Sequence, residues 1–541
     1  MLSVSDPRTS VDQPTETDDD TSARNWALVA AWFVVVVAAI WWLDRLGAGR
    51  TFFFDEWGFV VGRWRLEPDT FLAPHNGHLS IVPASVFYTL FELVGLDHHR
   101  AFRLLAILVH VAVATAVLAY VRQRLGSFAG FGGGVAILLL GSGWQNILWP
   151  FQIGFMGSTL CFILALFCLE RRSLRFDAAC AVFVAVALGC SGVGVAAAGA
   201  ILIETVLTRP LRRWWIALAP LALYALWYLL YGESQASMSN VDAVPAYVSM
   251  SGSAAVAGLF GLTPDWGRLG FGIMLGLVVG AVLHRRGISA RVLALLAMLA
   301  GFWGLTALSR GQYGEPEASR YVYVGAVVIV LLIAELVPAL RSRVIAVAGL
   351  ALGLLSAWAT ADVMRAGAGG LRLESELIGA ELAVLESLRD DAEPQYAIDI
   401  VHAPGLLAGE YFNAVDGVGS SPALPVRSFS SLSDVARSGA DRVLFELAPP
   451  RVSNDAGAAS RCQPTEFETL GSVRTVDPGS VVVLQASDPD VVVSVGRWAV
   501  PSLPVRIGGQ SAVVVSFPDD GFLEPWTIEA GTPGATFCVV D

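Results

Sequence analysis

Asp55 and Glu56 stand side by side in the run Phe52-Phe53-Phe54-Asp55-Glu56-Trp57. An acidic pair inside an aromatic collar is partly desolvated, and loss of solvent raises the basicity of a carboxylate. A carboxylate tuned in this way can take the proton of a hydroxyl while that oxygen attacks an electrophile. The same composition also fits an interfacial aromatic belt carrying two solvated acids.

Three further polar clusters accompany the pair. His75-Asn76-Gly77-His78 follows at once. Two histidines three apart can share a helix face and bind a metal with Asp55 or Glu56. Hydrogen bonding to a sugar or phosphate, or plain loop packing, fits the spacing better, and no metal or other cofactor is expected. Trp144-Gln145-Asn146-Ile147-Leu148-Trp149-Pro150-Phe151-Gln152 mixes amides with aromatics. Trp149 and Gln152 suit sugar recognition by ring stacking and directed hydrogen bonds, and they equally suit an aromatic belt. The stretch 309–321 holds Arg310, Tyr313, Arg320 and Tyr321. A guanidinium grips a phosphate with two parallel hydrogen bonds and stabilises charge developing on it. Snorkelling to headgroups is the alternative reading of both arginines. Asp265-Trp266-Gly267-Arg268 is a weaker candidate of the same kind. No Gly-rich phosphate loop, nucleophile elbow or HExxH pattern appears.

The elements that position these residues follow from composition. Of 541 residues, 55% are hydrophobic and 15% charged, with Arg as the only fixed cation. Soluble domains carry about 25% charged residues, so this chain reads as a polytopic membrane protein. Apolar runs at 25–43, 101–120, 128–143, 152–169, 176–190, 193–208, 214–231, 268–283, 289–308, 321–339 and 344–362 predict about eleven transmembrane helices. The net charge of −12 hides three regions. Residues 1–24 are an acidic tail, read as disordered and cytoplasmic. The body between the acidic ends carries 22 basic against 16 acidic residues. Residues 362–541 carry 11 basic against 25 acidic.

Arginines at 122, 124, 171, 172, 175, 209, 212, 213, 285, 286, 341 and 343 fall in alternate short loops. The positive-inside rule then makes the N-terminus cytoplasmic. Loop 44–100, loop 309–320 and a domain at 366–541 face outward from the plasma membrane. Segments 81–96 and 251–262 are amphipathic and read as surface-lying helices. The C-terminal domain is expected to mix helix (371–388) with strands (396–401 and 442–447). A β-sandwich built on 481–484, 491–495 and 512–517 should follow. Cys462 and Cys538 in that domain could pair in an oxidising compartment.

In organisation the chain resembles the GT-C superfamily of membrane glycosyltransferases, most closely its bacterial mannosyl- or arabinosyltransferase-like members. The residues that carry the likeness are Phe54-Asp55-Glu56-Trp57, His75-Asn76-Gly77-His78 and Ser319-Arg320-Tyr321. The resemblance spans residues 25–362 and implies a GT-C-like membrane domain at 25–365. It implies inverting transfer of a sugar from a polyprenyl phosphate to a glycan or glycolipid acceptor among the membrane lipids. Asp55 would be the base, and Glu56 would orient it or the acceptor. Arg320, with Arg310, would bind donor phosphate. Trp57, His75, Asn76, His78, Trp149, Gln152, Tyr313 and Tyr321 would line the substrate site. No nucleic-acid partner is expected.

Two other classes compete. A lipid or sugar transporter would place ionisable residues at mid-membrane in repeated, broken spans. The apolar runs hold few charges, mainly Glu204 and Glu335. A non-catalytic envelope-assembly protein would use the C-terminal domain as its working part.

Overall fold

Helices that are apolar on every side must pack against other helices or lipid. The computed structural model describes residues 16–285, 287–337, 343–425, 429–454, 465–467, 471–486, 488, 491–507, 512–531 and 534–540. Its helices run α1 (Glu16–Leu46), α2 (Glu56–Gly62), α3 (Pro68–Leu72), α4 (Ile81–Val94), α5 (His99–Leu125), α6 (Ser127–Leu138), α7 (Trp144–Leu148), α8 (Ile153–Leu169) and α9 (Leu174–Cys190). They continue α10 (Val193–Thr208), α11 (Trp215–Tyr231), α12 (Val244–Gly258), α13 (Pro264–Arg285), α14 (Ala290–Arg310), α15 (Ser319–Leu336), α16 (Arg343–Ser387), α17 (Ala408–Val418) and α18 (Asp434–Leu447).

Among the described residues, each predicted apolar run falls largely on a helix. Among the described residues, six helices are long and apolar enough to cross a membrane, within α1, α5, α8, α14, α15 and α16. The count is seven if α6 and α7, bent by 43°, form one broken span. This criterion, applied to the described residues, does not confirm eleven spans. At 1.5 Å per residue, the 17 residues of α9 or α11 and the 16 of α10 reach about 24–26 Å, short of a hydrocarbon core of about 30 Å. Residues 16–24 of the expected tail are helical, and residues 1–15 lie outside the described residues.

The break between α6 and α7 leaves backbone groups that need partners inside the bundle. Thr360 of α16 supplies them. Its hydroxyl accepts the Gly141 N–H (3.0 Å) and lies 3.1 Å from the Leu139 carbonyl. Gly132 of α6 lies against Gly349 and Gly353 of α16 with no room for a Cβ at Gly132 or Gly353. Small residues let membrane helices approach to backbone contact in this way.

The arginine-rich loops around 122–124, 170–175 and 209–213 share one end of the bundle. There Arg291 of α14 makes two hydrogen bonds of 2.8 Å to Glu204 of α10 and one of 3.2 Å to Glu170 after α8. Arg124 of α5 joins Glu170 (2.6 Å) to Glu335 of α15, and the Tyr120 hydroxyl donates to Glu335 (2.7 Å). The candidate loop 47–98 lies at the other end.

α16 is the link to the C-terminal domain. Its 45 residues span about 68 Å, more than twice the hydrocarbon thickness. Beyond the bundle it packs on α18, burying Ala436, Ala440, Val443 and Leu444. That helical spacing corrects the strand expected at 442–447. The Ser433 hydroxyl caps the helix by accepting the Ala436 N–H (3.4 Å). Residues 396–401 form no strand either; a single bridge joins Ala397 to Leu407.

The sandwich is present as two antiparallel sheets. β1 (Arg451–Asn454), β2 (Thr465–Glu466), β3 (Val473–Val476), β4 (Val481–Ala486), β5 (Val491–Gly496), β6 (Leu503–Ile507), β7 (Val513–Ser516), β8 (Trp526–Ala530) and β9 (Ala535–Val540) order as β1-β7-β4-β9-β2 and β3-β8-β5-β6. Alternation buries Val491, Val493 and Val495 against Trp526 and Ile528. Cys462 lies outside the described residues.

Breaking one side of a buried ion pair leaves the other charge unpaired, at a cost of about 3–5 kcal/mol. Arg291→Ala should therefore lower the thermal midpoint of the detergent-solubilised chain sharply, by more than Arg268→Ala, whose pair with Asp265 is solvent-exposed. Equal midpoints for the two variants would contradict the assigned role of the network.

Candidate functional site

Loop 47–98 builds the site on a tight turn. Phe54 adopts φ 48°, a left-handed backbone that costs a residue with a Cβ about 1–3 kcal/mol and concentrates at functional positions. Two successive hydrogen bonds hold it, Glu56 N–H to the Phe53 carbonyl (3.0 Å) and Trp57 N–H to the Phe54 carbonyl (3.2 Å). The Glu56 carboxylate returns to accept the Phe53 N–H at 2.9 Å. Its reach of three residues is that of the acidic half of a capping box. Asp55 thereby sits at the N-cap of α2, with its own side chain free of any capping bond.

Asp55 is half-buried and faces cations from two other elements. Burial lifts its carboxyl above the usual carboxylate range, while Arg320, Arg310 and the Asn76 amide pull it back down. Arg320 opens α15, and its place is fixed by a reciprocal brace. Its N–H donates to the Gln145 side chain (3.1 Å), and the Gln145 N–H donates to the Ser319 hydroxyl (3.1 Å). The Arg320 guanidinium lies 4.9 Å from the Tyr321 ring centroid and 3.3 Å from Glu315, and its side chain keeps 27% exposure. Arg310 ends α14 beside the exposed Tyr313 ring (5.8 Å).

His75-Asn76-Gly77-His78 is a hairpin turn, not a helical pair. Asn76 and Gly77 both have positive φ, 51° and 75°, the signature of a type I′ turn, for which Asn-Gly is the preferred sequence. His75 and His78 exchange both backbone hydrogen bonds at 3.0 Å. The His75 ring packs on Phe59 (4.7 Å) and Phe151 (5.2 Å), and His78 packs against Gly192. Burial first, then neighbouring positive charge, pushes both imidazoles down to about 4, so both are neutral at neutral pH. Among the described residues no group of three His, Cys, Asp or Glu side chains is placed to hold a metal ion.

Of the residues singled out from sequence, Asp55, Asn76, Arg310 and Arg320 influence one another, Tyr313 and Tyr321 lie beside the two arginines, and His78 feels the charge of Arg310. Four others do not reach the site. Glu56 has 0% exposure and lies 3.6 Å from His99, so it cannot meet an acceptor. Trp57, at 1%, packs on Phe52 (5.7 Å) and Tyr411 (6.4 Å). Trp149 is sandwiched by Phe53 and Phe151, and Gln152, at 2%, lies in the core. They support the loop from beneath. Asp265 and Arg268 pair with each other in solvent.

The polar segment 232–243 was not among the candidates. Glu233 and Gln235 lie against Gly77 at the hairpin tip. Asn240 donates to Gln312 (2.7 Å) and to the Leu308 carbonyl (2.9 Å) in the opposite wall. The signal was available as a polar-rich stretch, with Glu233, Ser234, Gln235, Ser237, Ser239, Asn240 and Asp242, between two apolar ones.

The fold and site define a polytopic helical protein in which one half-buried carboxylate, Asp55, lies within the electrostatic reach of two guanidinium groups, Arg320 and Arg310, at one end. No family model matches the chain, and no curated protein matches it. Among solved structures it is similar to ArnT from Cupriavidus metallidurans in the apo state, with a TM-score of 0.44 and 17% identity, over 69% of this chain and 82% of that one.

Gly77 combines positive φ with contact to Gln235 and the Glu233 carbonyl. Gly77→Val should destabilise the hairpin by about 1–3 kcal/mol, read as a lower thermal midpoint. A midpoint equal to the parent's would mean that the hairpin tip and segment 232–243 are not packed together.

Proposed function

We propose that the chain is a GT-C-type inverting glycosyltransferase that moves a sugar from a polyprenyl phosphate to a glycan or glycolipid acceptor at the outer membrane face. The observation that carries this reading is the convergence of Asp55 with Arg320 and Arg310. One side of the cleft offers a proton acceptor, and the other offers two guanidinium groups for a phosphate.

In the reaction Asp55 takes the proton of the acceptor hydroxyl. The acceptor oxygen bonds to the anomeric carbon from the face opposite the phosphate. The bond from that carbon to the phosphate oxygen breaks, with the electron pair leaving on the phosphate. Arg320 and Arg310 hold the negative charge that develops there. A carboxyl raised by burial is better matched to accept a proton near neutral pH than an ordinary aspartate. Asn76 orients it, and the neutral His78 adds no competing charge. The polar segment 232–243, at the cleft edge, suits the acceptor side.

Asp55→Asn should lower sugar transfer by about 10²–10⁴-fold with an unchanged thermal midpoint, measured in proteoliposomes with polyprenyl-phosphate mannose and polyprenyl-phosphate arabinose as donors. Retention of the parental rate would sink the assignment of Asp55 as the base. The base works only when ionised, so activity falls as pH drops through its raised pKa. Arg320→Gln removes a cation that holds this pKa down. Its acid limb should therefore move to higher pH, together with a weaker donor KM. A limb unmoved by Arg320→Gln would show that the two side chains do not share a site.

A further inference from the structure

The C-terminal domain touches the Asp55 loop at four separate points. Tyr411 of α17 is fully buried, with its ring edge-on to Trp57 at 6.4 Å. Trp57 belongs to α2, the helix that Asp55 caps. The Tyr411 hydroxyl donates to Glu386 of α16 (2.7 Å), and Ser421 donates to the same carboxylate. Gly417, one and a half turns further along α17, lies flat on the Trp64 ring with no room for a Cβ.

The segment after α17 reaches the two ends of the loop. The Thr51 hydroxyl donates to the Pro422 carbonyl (3.3 Å) on the side leading into the acidic turn. The Ser420 hydroxyl accepts the Leu96 N–H (2.7 Å) at the end of α4. Gly95, at φ 75°, has no room for a Cβ beside Ser420. The root of α16 is tied in as well. Arg50 donates to the Ala368 carbonyl (3.0 Å), and Arg372 donates to the Leu46 carbonyl (3.3 Å).

We infer that residues 408–422 of the C-terminal domain form the saddle that positions the Asp55 turn, with Tyr411 and Ser420 as positioning residues. None of them touches the cleft. They act through Trp57, Trp64, Thr51 and Leu96, which hold the Phe53–Trp57 turn in its left-handed conformation and keep Asp55 half-buried. The carboxyl faces Arg320, Arg310 and Asn76, and no charged group of α17 is among its neighbours. The saddle therefore affects Asp55 by burial and orientation, not by charge. The inference rests on the proposed role of Asp55 for its catalytic meaning, but its structural part does not.

The test uses the full chain in nanodiscs, with Tyr411→Ala, Tyr411→Phe and Ser420→Ala. Tyr411→Phe keeps the ring against Trp57 and loses only the hydroxyl. Ser420→Ala keeps the core intact, so it remains informative if Tyr411→Ala fails to fold. Hydrogen exchange of the Phe53–Trp57 amides should quicken about tenfold or more in Tyr411→Ala, less in Ser420→Ala, and hardly in Tyr411→Phe. Exchange at the parental rate in both alanine variants would overturn the inference. In transfer assays with polyprenyl-phosphate mannose and arabinose, kcat should fall by up to about 10²-fold in Tyr411→Ala, with donor KM little changed. Exposure of the carboxyl should move the acid limb to lower pH, opposite in sign to Arg320→Gln. A fall in kcat with an unmoved limb would indicate loss of folded protein alone and count against the saddle. Faster exchange alongside a fully active Asp55→Asn would uphold the saddle and reject Asp55 as the base.

Discussion

A carboxylate sealed from solvent fixes the geometry of the acidic turn. Glu56 has no access to water and accepts the amide of Phe53, three residues back. A buried carboxylate must find hydrogen-bond donors nearby, and the donor it finds is backbone. The turn that brings the Phe53 amide to one Glu56 oxygen holds Phe54 in a left-handed conformation and leaves Asp55 half-buried. The adjacent acids thus divide the labour, one holding the chain and the other facing the arginines. Around them Phe52, Trp57, Phe59 and Phe102 form a continuous aromatic floor that leaves the acidic turn little freedom to relax.

The opposite wall answers with positive charge under its own constraint. Arg320 is held through its backbone by Gln145 and Ser319, which leaves the guanidinium available above Tyr321. Glu315 tempers it at 3.3 Å, and Asp55 lies on its other flank. Fixed charges in a partly dry cleft act more strongly than in water.

Much of this was legible in the sequence. Asp55, Asn76, Arg310 and Arg320 stand out because acids among aromatics and arginines at span boundaries run against the composition around them, and in the structure they are electrostatic neighbours. Trp57, Trp149 and Gln152 were misjudged because composition does not say which way a side chain turns. Their rings and amide fill the floor rather than the cleft. The His75–His78 spacing suggested a helix face, whereas the Asn-Gly between them already encoded a hairpin. Residues 442–447 look like a strand in isolation, and only the Ser433 cap and the burial against α16 reveal a helix. Apolar runs identified most helices of the bundle but not α12, whose small and polar residues read as a surface-lying segment although Ser251 to Ala255 are buried against its neighbours.

α16 carries one more implication. It passes without a break from contact with α6 to the platform beneath α18. Each residue of an α-helix adds about 1.5 Å of height and about 100° of rotation. The residue count between Gly353 and Glu386 therefore sets both how high the saddle stands and which way it faces. One inserted residue in this stretch would swing Glu386, and with it Tyr411, off the Asp55 turn. An insertion of four would nearly restore the heading but lift the domain by about 6 Å. Divergence in this stretch should thus proceed by substitution at constant length, while the loops of the sandwich remain free to grow or shrink.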